Sequence, residues 1–156
     1  MSPNLKAYLD LLAHSELGVG LLKVSENGYN VIVGSTPTKP LLFSSYADHP
    51  RKLIDLGKGL KSTAAGRYQI LSRYFDVYKK QLGLTDFGHD AQDRIAIQLI
   101  RECKALNAIE SGHISEAMKL TNSRWASLPG SPYGQHTNSE KDLLAAFTAA
   151  GGKLAS

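Results

Sequence analysis

The chain has one cysteine, Cys103, among 156 residues, so no internal disulfide can form. Its four-residue spacing after Ile95 and Leu99 reads as core packing rather than a reactive thiol. No run approaches the roughly 20 apolar residues of a membrane span, and Met1-Ser2-Pro3-Asn4-Leu5-Lys6 lacks the apolar core of a signal peptide. A product made soluble in the cytoplasm is expected. His14, His49, His89, His113 and His136 are scattered, with no HExxH or CxxC spacing among them. A GxSxG elbow, a phosphate-binding glycine loop and a Walker lysine are absent as well. These gaps weaken metallopeptidase, esterase and nucleotide-hydrolase readings, and neither a metal nor an organic cofactor is expected.

What is present is a mild basic excess. The formal charge is +4 and the sequence pI about 9.2, a balance that favours anionic partners such as nucleic acid, phospholipid or bacterial envelope polymers. Eight basic residues lie between Arg51 and Lys80 (Arg51, Lys52, Lys58, Lys61, Arg67, Arg73, Lys79 and Lys80) against Asp55 and Asp76. Such a run also fits an ordinary solvated face. The length suits a single domain over residues 1–156 with a real core.

Along the chain, Ser2 and Pro3 suit a helix start, and Leu5, Leu9 and Leu12 then recur at helical spacing, with Gly18 as a stop signal. Tyr29-Asn30-Val31-Ile32-Val33 and Leu41-Leu42-Phe43-Ser44-Ser45-Tyr46 are rich in strand formers. They read as a small antiparallel ribbon with a projecting loop at Gly34 to Pro40. From about Ala65 the period predicts a helix with Tyr68, Leu71, Phe75, Tyr78 and Leu82 on one face and Gly83 at its end. Asp90 can cap a further, broadly apolar helix carrying Ile95, Leu99, Cys103 and Leu106. Short helices follow at Ala105 to Ser111, Ser115 to Thr121 and Ser139 to Ala150. The order gives an α+β fold, mainly helical with a small antiparallel β-ribbon.

Three places can carry chemistry. Glu16 continues the leucine stripe by four residues, so it faces inward in the last helical turn. Burial and the negative end of the helix dipole both raise its pKa, as a general acid near neutral pH requires. The alternative is a polar residue at a frayed helix end. Ser62-Thr63-Ala64-Ala65-Gly66-Arg67-Tyr68-Gln69-Ile70 combines small residues with neutral hydrogen-bonding groups beside an aromatic ring, a set suited to a sugar. A helix cap leading into a core helix accounts for Ser62 and Tyr68 equally, while Gln69 lies off the apolar stripe and meets either solvent or a cleft. In Trp125 to Gln135, prolines and glycines shape a loop that presents Tyr133 and Gln135, while Trp125 reads more readily as a core anchor than as a sugar platform.

With these segments in hand, the chain resembles the bacteriophage lambda endolysin family, lysozyme-like enzymes that cleave bacterial peptidoglycan as lytic transglycosylases. The matching segments run in order nearly end to end: Tyr29 to Gly34, Asp48 to Leu53, Leu60 to Thr63, Gly66 to Gln69, Lys80 to Leu84, Trp125 to Gln135 and Ala150 to Gly152. The resemblance implies a lysozyme-like fold whose ribbon forms one lip of a substrate cleft. It places the catalytic glutamate at Glu16, after Ser15, and cleft-lining positions at Ser62, Tyr68, Gln69, Tyr133 and Gln135. Two departures stand out: Leu17, Gly18 and Val19 follow the glutamate, and the Thr36 to Pro40 loop is longer than the family pattern.

Cleaving a β-1,4 glycosidic bond needs a proton on the leaving oxygen, and ordinary glycosidases add a second carboxylate. Asp10, Asp48 and Asp55 are nearest in sequence, but Asp10 points away from the leucine stripe and Asp48 reads as a turn residue. A lytic transglycosylase needs no second carboxylate, because the muramic acid 6-hydroxyl attacks its own anomeric carbon. The expectation is therefore a monomeric phage endolysin acting on peptidoglycan, with no nucleic acid partner. It is made in the host cytoplasm and reaches the periplasm through a holin pore, as the resemblance implies. Two alternatives stay open: a hydrolytic muramidase of the same fold, and a non-catalytic basic module binding the envelope or nucleic acid.

Overall fold

The structure, a computed structural model, describes residues 1–133 and 137–156. Its described elements run α1 (Pro3–Val24), β1 (Ile54–Asp55), β2 (Lys61–Ser62), α2 (Ser72–Leu82), α3 (His89–Glu102), α4 (Leu106–Glu110), α5 (Ile114–Thr121) and α6 (Glu140–Ala149). The chain divides into two compact units, one of Met1–Glu16 with Ala96–Ser156 and one of Leu17–Ile95. Both α1 and α3 contribute residues to each unit.

In the first unit, Ser2 caps α1 by accepting a hydrogen bond from the Leu5 amide at 3.1 Å. Leu5, Leu9 and Leu12 are buried as their spacing predicts, and so are Ala7, Tyr8, Leu11 and Ala13. A helix buried on so many sides belongs in a core rather than on a surface. The Tyr8 hydroxyl meets Thr121 Oγ1 at 2.7 Å, which satisfies its polar end. Trp125 is 2% exposed, the core anchor expected of it. Ser139 caps α6 by accepting from the Asp142 amide. The short helices α4, α5 and α6 stand within a residue or two of their expected spans.

Gly18 breaks α1 as expected, with φ 78° and ψ 161°, but a further helical stretch reaches Val24. A side chain is poorly tolerated at that backbone conformation, so glycine is what allows the break. The Thr36 to Pro40 loop closes on itself through paired bonds between the Thr36 and Lys39 backbones. Rather than projecting freely, it leans back on α1: a Cβ at Gly20 would stand 2.7 Å from Pro37 Cγ.

In the second unit the ribbon is not where the strand formers predict it. Val31 and Leu42 form only a single antiparallel bridge, and Ile32 forms another with Ala65 on its opposite side. The paired strands are β1 and β2, with Ile54 opposite Ser62 and Asp55 opposite Lys61. Gly57, Lys58 and Gly59 all take positive φ at their turn. Two-residue strands are too short to leave an alternating pattern, which explains their absence from the sequence reading.

The helix predicted from Ala65 starts instead at Ser72. Residues 65–70 form a tight loop closed by reciprocal backbone bonds between Ala65 and Ile70, with Gly66 at φ 85° and Gln69 at φ 52°. Left-handed residues end any helical path. Tyr68 and Phe75 are buried as predicted, so an apolar spacing shared by a turn and a helix misplaced the boundary. At the other end Gly83 closes α2 in the left-handed conformation, with the Leu84 amide bonded to Lys79 O at 2.9 Å. Likewise α3 ends at Glu102 rather than running through Cys103 to Leu106. Lys104 turns with φ 57°, and Cys103 is half-buried beyond the helix.

Gln92 ties this unit together. It accepts from the Arg67 amide at 2.9 Å and donates to the Tyr29 and Phe87 carbonyls at 3.0 Å each. A Cβ at Gly66 would lie 2.3 Å from Gln92 Oε1. Gly66→Ala should therefore cost on the order of 2 to 4 kcal/mol through combined strain and overpacking. Gly83→Ala, with positive φ but no atom within 4 Å of an added Cβ, should cost about 1 kcal/mol. Denaturant midpoints of the two variants test this, and equal losses would contradict the close approach of Gln92.

Candidate active site

Glu16 occupies the last turn of α1 before the Gly18 break, and it is part-buried. Its Oε2 accepts a hydrogen bond from Ser127 Oγ at 2.5 Å. Ser127 Oγ in turn lies 2.7 Å from Ser15 Oγ. Asn138 completes the set: its Nδ2 donates to the Ser15 carbonyl at 2.9 Å, to Ser15 Oγ at 3.1 Å and to the Ser127 carbonyl at 3.4 Å. The Asn138 amide also donates to Ser127 O at 2.9 Å, fixing that loop to the residue beside the carboxylate.

Burial pushes the Glu16 pKa from 4.5 up to about 7, and the bond from Ser127 opposes that rise only in part. A carboxyl so placed is protonated at mildly acidic pH and ionised at mildly alkaline pH. It can thus give a proton and take one back near neutrality, as general acid–base catalysis requires.

The other expected positions fall differently. Tyr133 is 56% exposed, and its hydroxyl donates to Ser123 O at 2.7 Å, which leaves much of its ring open to solvent. Ser62, Tyr68 and Gln69 belong to the second unit. Ser62 sits half-buried on β2, with Oγ accepting from the Ala64 amide. Tyr68 is 1% exposed; its hydroxyl donates to Asp93 at 2.6 Å and accepts from Arg67 at 2.9 Å, so its ring lies in the packing of its unit. Gln69 is half-buried and turns its amide back onto Gly66 O at 2.8 Å. Gln135 lies outside the described residues. Asp48 is engaged by Arg51, which also binds Asp76, and Asp55 caps the turn at Gly57. Among the described residues no group of three or more His, Cys, Asp or Glu side chains is placed to hold a metal.

Ser15, Ser127 and Asn138 were not foreseen as parts of the site. Ser127 lies inside the shaped loop picked out from the sequence, but a lone serine there carries no distinguishing signal. Asn138 has none at all, because only the fold returns it to the end of α1.

A model of the endolysin family matches residues 6–154. The chain belongs to that family. It is 50% identical over 150 residues to the endolysin of Escherichia phage lambda, spanning 96% of this chain and 92% of that protein. It is 44% identical over 155 residues to the endolysin of Escherichia phage P2, spanning 96% and 93%. The fold of this endolysin-family chain superposes on bacteriophage lambda lysozyme complexed with a chitohexasaccharide, with a TM-score of 0.92, 48% identity and coverage of 99% and 97%. A second structure of the lambda lysozyme gives a TM-score of 0.86 at 46% identity. The α+β, lysozyme-like class expected from the sequence is the one observed.

The buried carboxyl has a thermodynamic signature. Its folded pKa lies above the unfolded value, so folding is relatively favoured while the group is neutral, and that advantage is lost as pH rises from about 4.5 through about 7. Glu16→Gln should match the parent in stability at pH 4 and exceed it at pH 8 by up to about 3 kcal/mol. Melting curves at the two pH values check this. Equal stability at pH 8 would show the carboxylate to be well solvated.

Proposed function

We propose that this chain, a peptidoglycan-cleaving enzyme, acts as a lytic transglycosylase on the β-1,4 bond between N-acetylmuramic acid and N-acetylglucosamine. The observation that carries the proposal is the Glu16 carboxyl, with its pKa raised by burial to about 7, while the nearest candidate second carboxylates in sequence are engaged elsewhere, Asp48 by Arg51 and Asp55 by the Gly57 amide. That a lambda relative binds a chitohexasaccharide supports a glycan chain as substrate.

In the first half of the reaction, protonated Glu16 gives its proton to the glycosidic oxygen as the bond from that oxygen to the muramic acid anomeric carbon breaks. The oxocarbenium-like centre that develops is captured by the 6-hydroxyl oxygen of the same sugar. The hydroxyl proton passes to the Glu16 carboxylate, which restores the acid. One bond breaks and one forms, no water is consumed, and the product ends in a 1,6-anhydro ring. A single carboxyl with a pKa near the working pH is suited to both transfers.

Tyr133, with its exposed ring, is assigned to glycan binding, and Ser62 and Gln69 are kept as candidate contacts for the sugar chain. Tyr68 is assigned to shaping the turn that holds Gln69. The whole of residues 1–156 is taken as one catalytic domain, working as a monomer on the periplasmic wall after a holin opens the inner membrane.

Digestion of purified peptidoglycan in ¹⁸O-labelled water should release muropeptides unlabelled at the sugar end and resistant to borohydride. Labelled, borohydride-reducible muramic acid as the main product would make the enzyme a hydrolytic muramidase. Glu16→Gln should lower the cleavage rate at least about 100-fold with the fold retained. A variant keeping a tenth of the parent activity would remove Glu16 from the catalytic role.

A further inference from the structure

Behind Glu16 a chain of side chains runs from Asn138 through Ser15 and Ser127 to the carboxylate, and Asn138 favours one direction of hydrogen bonding along it. Its side-chain nitrogen is surrounded by two backbone carbonyls, Ser15 O at 2.9 Å and Ser127 O at 3.4 Å. Turning the amide over would put its oxygen against two other oxygens, so the NH₂ group is held in place. The same nitrogen lies 3.1 Å from Ser15 Oγ, which must therefore accept. An NH₂ group cannot accept, so the Ser15 hydroxyl hydrogen points away from Asn138, and Ser127 Oγ at 2.7 Å is placed to take it while the Ser127 hydroxyl donates onward to Glu16 Oε2. Each hydroxyl in this chain accepts from one side and donates to the other.

We infer that Asn138, acting through Ser15 and Ser127, is a positioning residue that reserves Glu16 Oε2 as an acceptor and confines the transferable proton to Oε1. The inference rests on Glu16 being the catalytic acid and goes beyond it by naming which oxygen delivers the proton and what selects it. A carboxyl whose proton resides on either oxygen presents it to the glycosidic oxygen only part of the time. Fixing the donor oxygen removes that loss and aims the acid before substrate binds. The relay also stabilises the ionised form, since every hydroxyl already points toward the carboxylate. Among the described residues, no charged side chain on α1, on the loop carrying Ser127 or near Asn138 forms an ion pair or hydrogen bond with Glu16.

A purely structural role for Asn138 predicts the opposite response to its removal. If it only tethered the loop, Asn138→Ala would let water reach Glu16, relieve its burial and lower its pKa. Loss of the relay's direction instead lets Ser127 accept a proton from Oε2, favours the neutral acid and raises the pKa.

The test is an NMR titration of the Glu16 carboxyl carbon in ¹³C-labelled parent protein, Ser127→Ala, Ser127→Thr and Asn138→Ala, with circular dichroism confirming the fold. Ser127→Ala should move the Glu16 midpoint upward by about one pH unit or more, the worth of a hydrogen bond to a charged group. Asn138→Ala should move it upward by less, and Ser127→Thr, which keeps the hydroxyl, should restore the parent value. A downward or absent shift in Asn138→Ala would overturn the relay, and so would an unchanged midpoint in Ser127→Ala. This readout does not depend on turnover. If Glu16→Gln stayed active while these shifts appeared, the catalytic assignment would fail and the relay would stand.

Discussion

The site depends on keeping one carboxyl partly out of water at the end of a helix. Burial alone would hold Glu16 neutral at all but alkaline pH. A hydrogen bond from Ser127 alone, in an exposed setting, would leave it ionised. The two oppose each other and bring the group to about 7. The surrounding sequence serves that balance locally. Leu9 and Leu12 carry the buried face of α1 up to the glutamate, and Gly18 breaks the helix immediately after it. Asn138 brings the polypeptide beyond the Trp125 loop back to the Ser15 carbonyl.

How far this could be read from the residues depended on how local each cause was. Glu16 was legible because a helical period is set by nearest neighbours along one element, and four residues past Leu12 is an inward position whatever else the fold does. Gly83 and Ser139 were legible for the same reason, each ending or starting a helix through its own backbone or side chain. Tyr68 shows where locality fails. Its apolar spacing with Leu71 and Phe75 fits a helix, yet Gly66 and Gln69 take left-handed conformations, and the turn between them is bound through the Arg67 amide to Gln92, distant in sequence. The strand-rich segments gave only single bridges, and the two-residue ribbon at Ile54 and Lys61 left no pattern to read. Ser127 meets Glu16, and Asn138 meets Ser15, across more than 100 residues, and their roles come entirely from those meetings.

The basic segment from Arg51 to Lys80 is less cationic in effect than its count suggests. Arg51 is paired with Asp48 and Asp76, and Arg67 is buried against the rings of Tyr29 and Tyr68. Exposed charge remains on Lys52, Lys58, Lys61, Arg73 and Lys80. These exposed charges are spread over a segment that also holds the small ribbon.

The most direct test of a lone carboxyl acting as acid and then as base is the pH dependence of kcat/KM on a soluble glycan strand. With Glu16 as the only titrating catalytic group, kcat/KM should stay level at acidic pH and fall as pH rises through about 7, because the free enzyme must be protonated to begin the reaction. A bell-shaped profile with a second limb near the ordinary carboxylate range, about 4, would contradict it, since that limb would report a second carboxylate that must be ionised for cleavage.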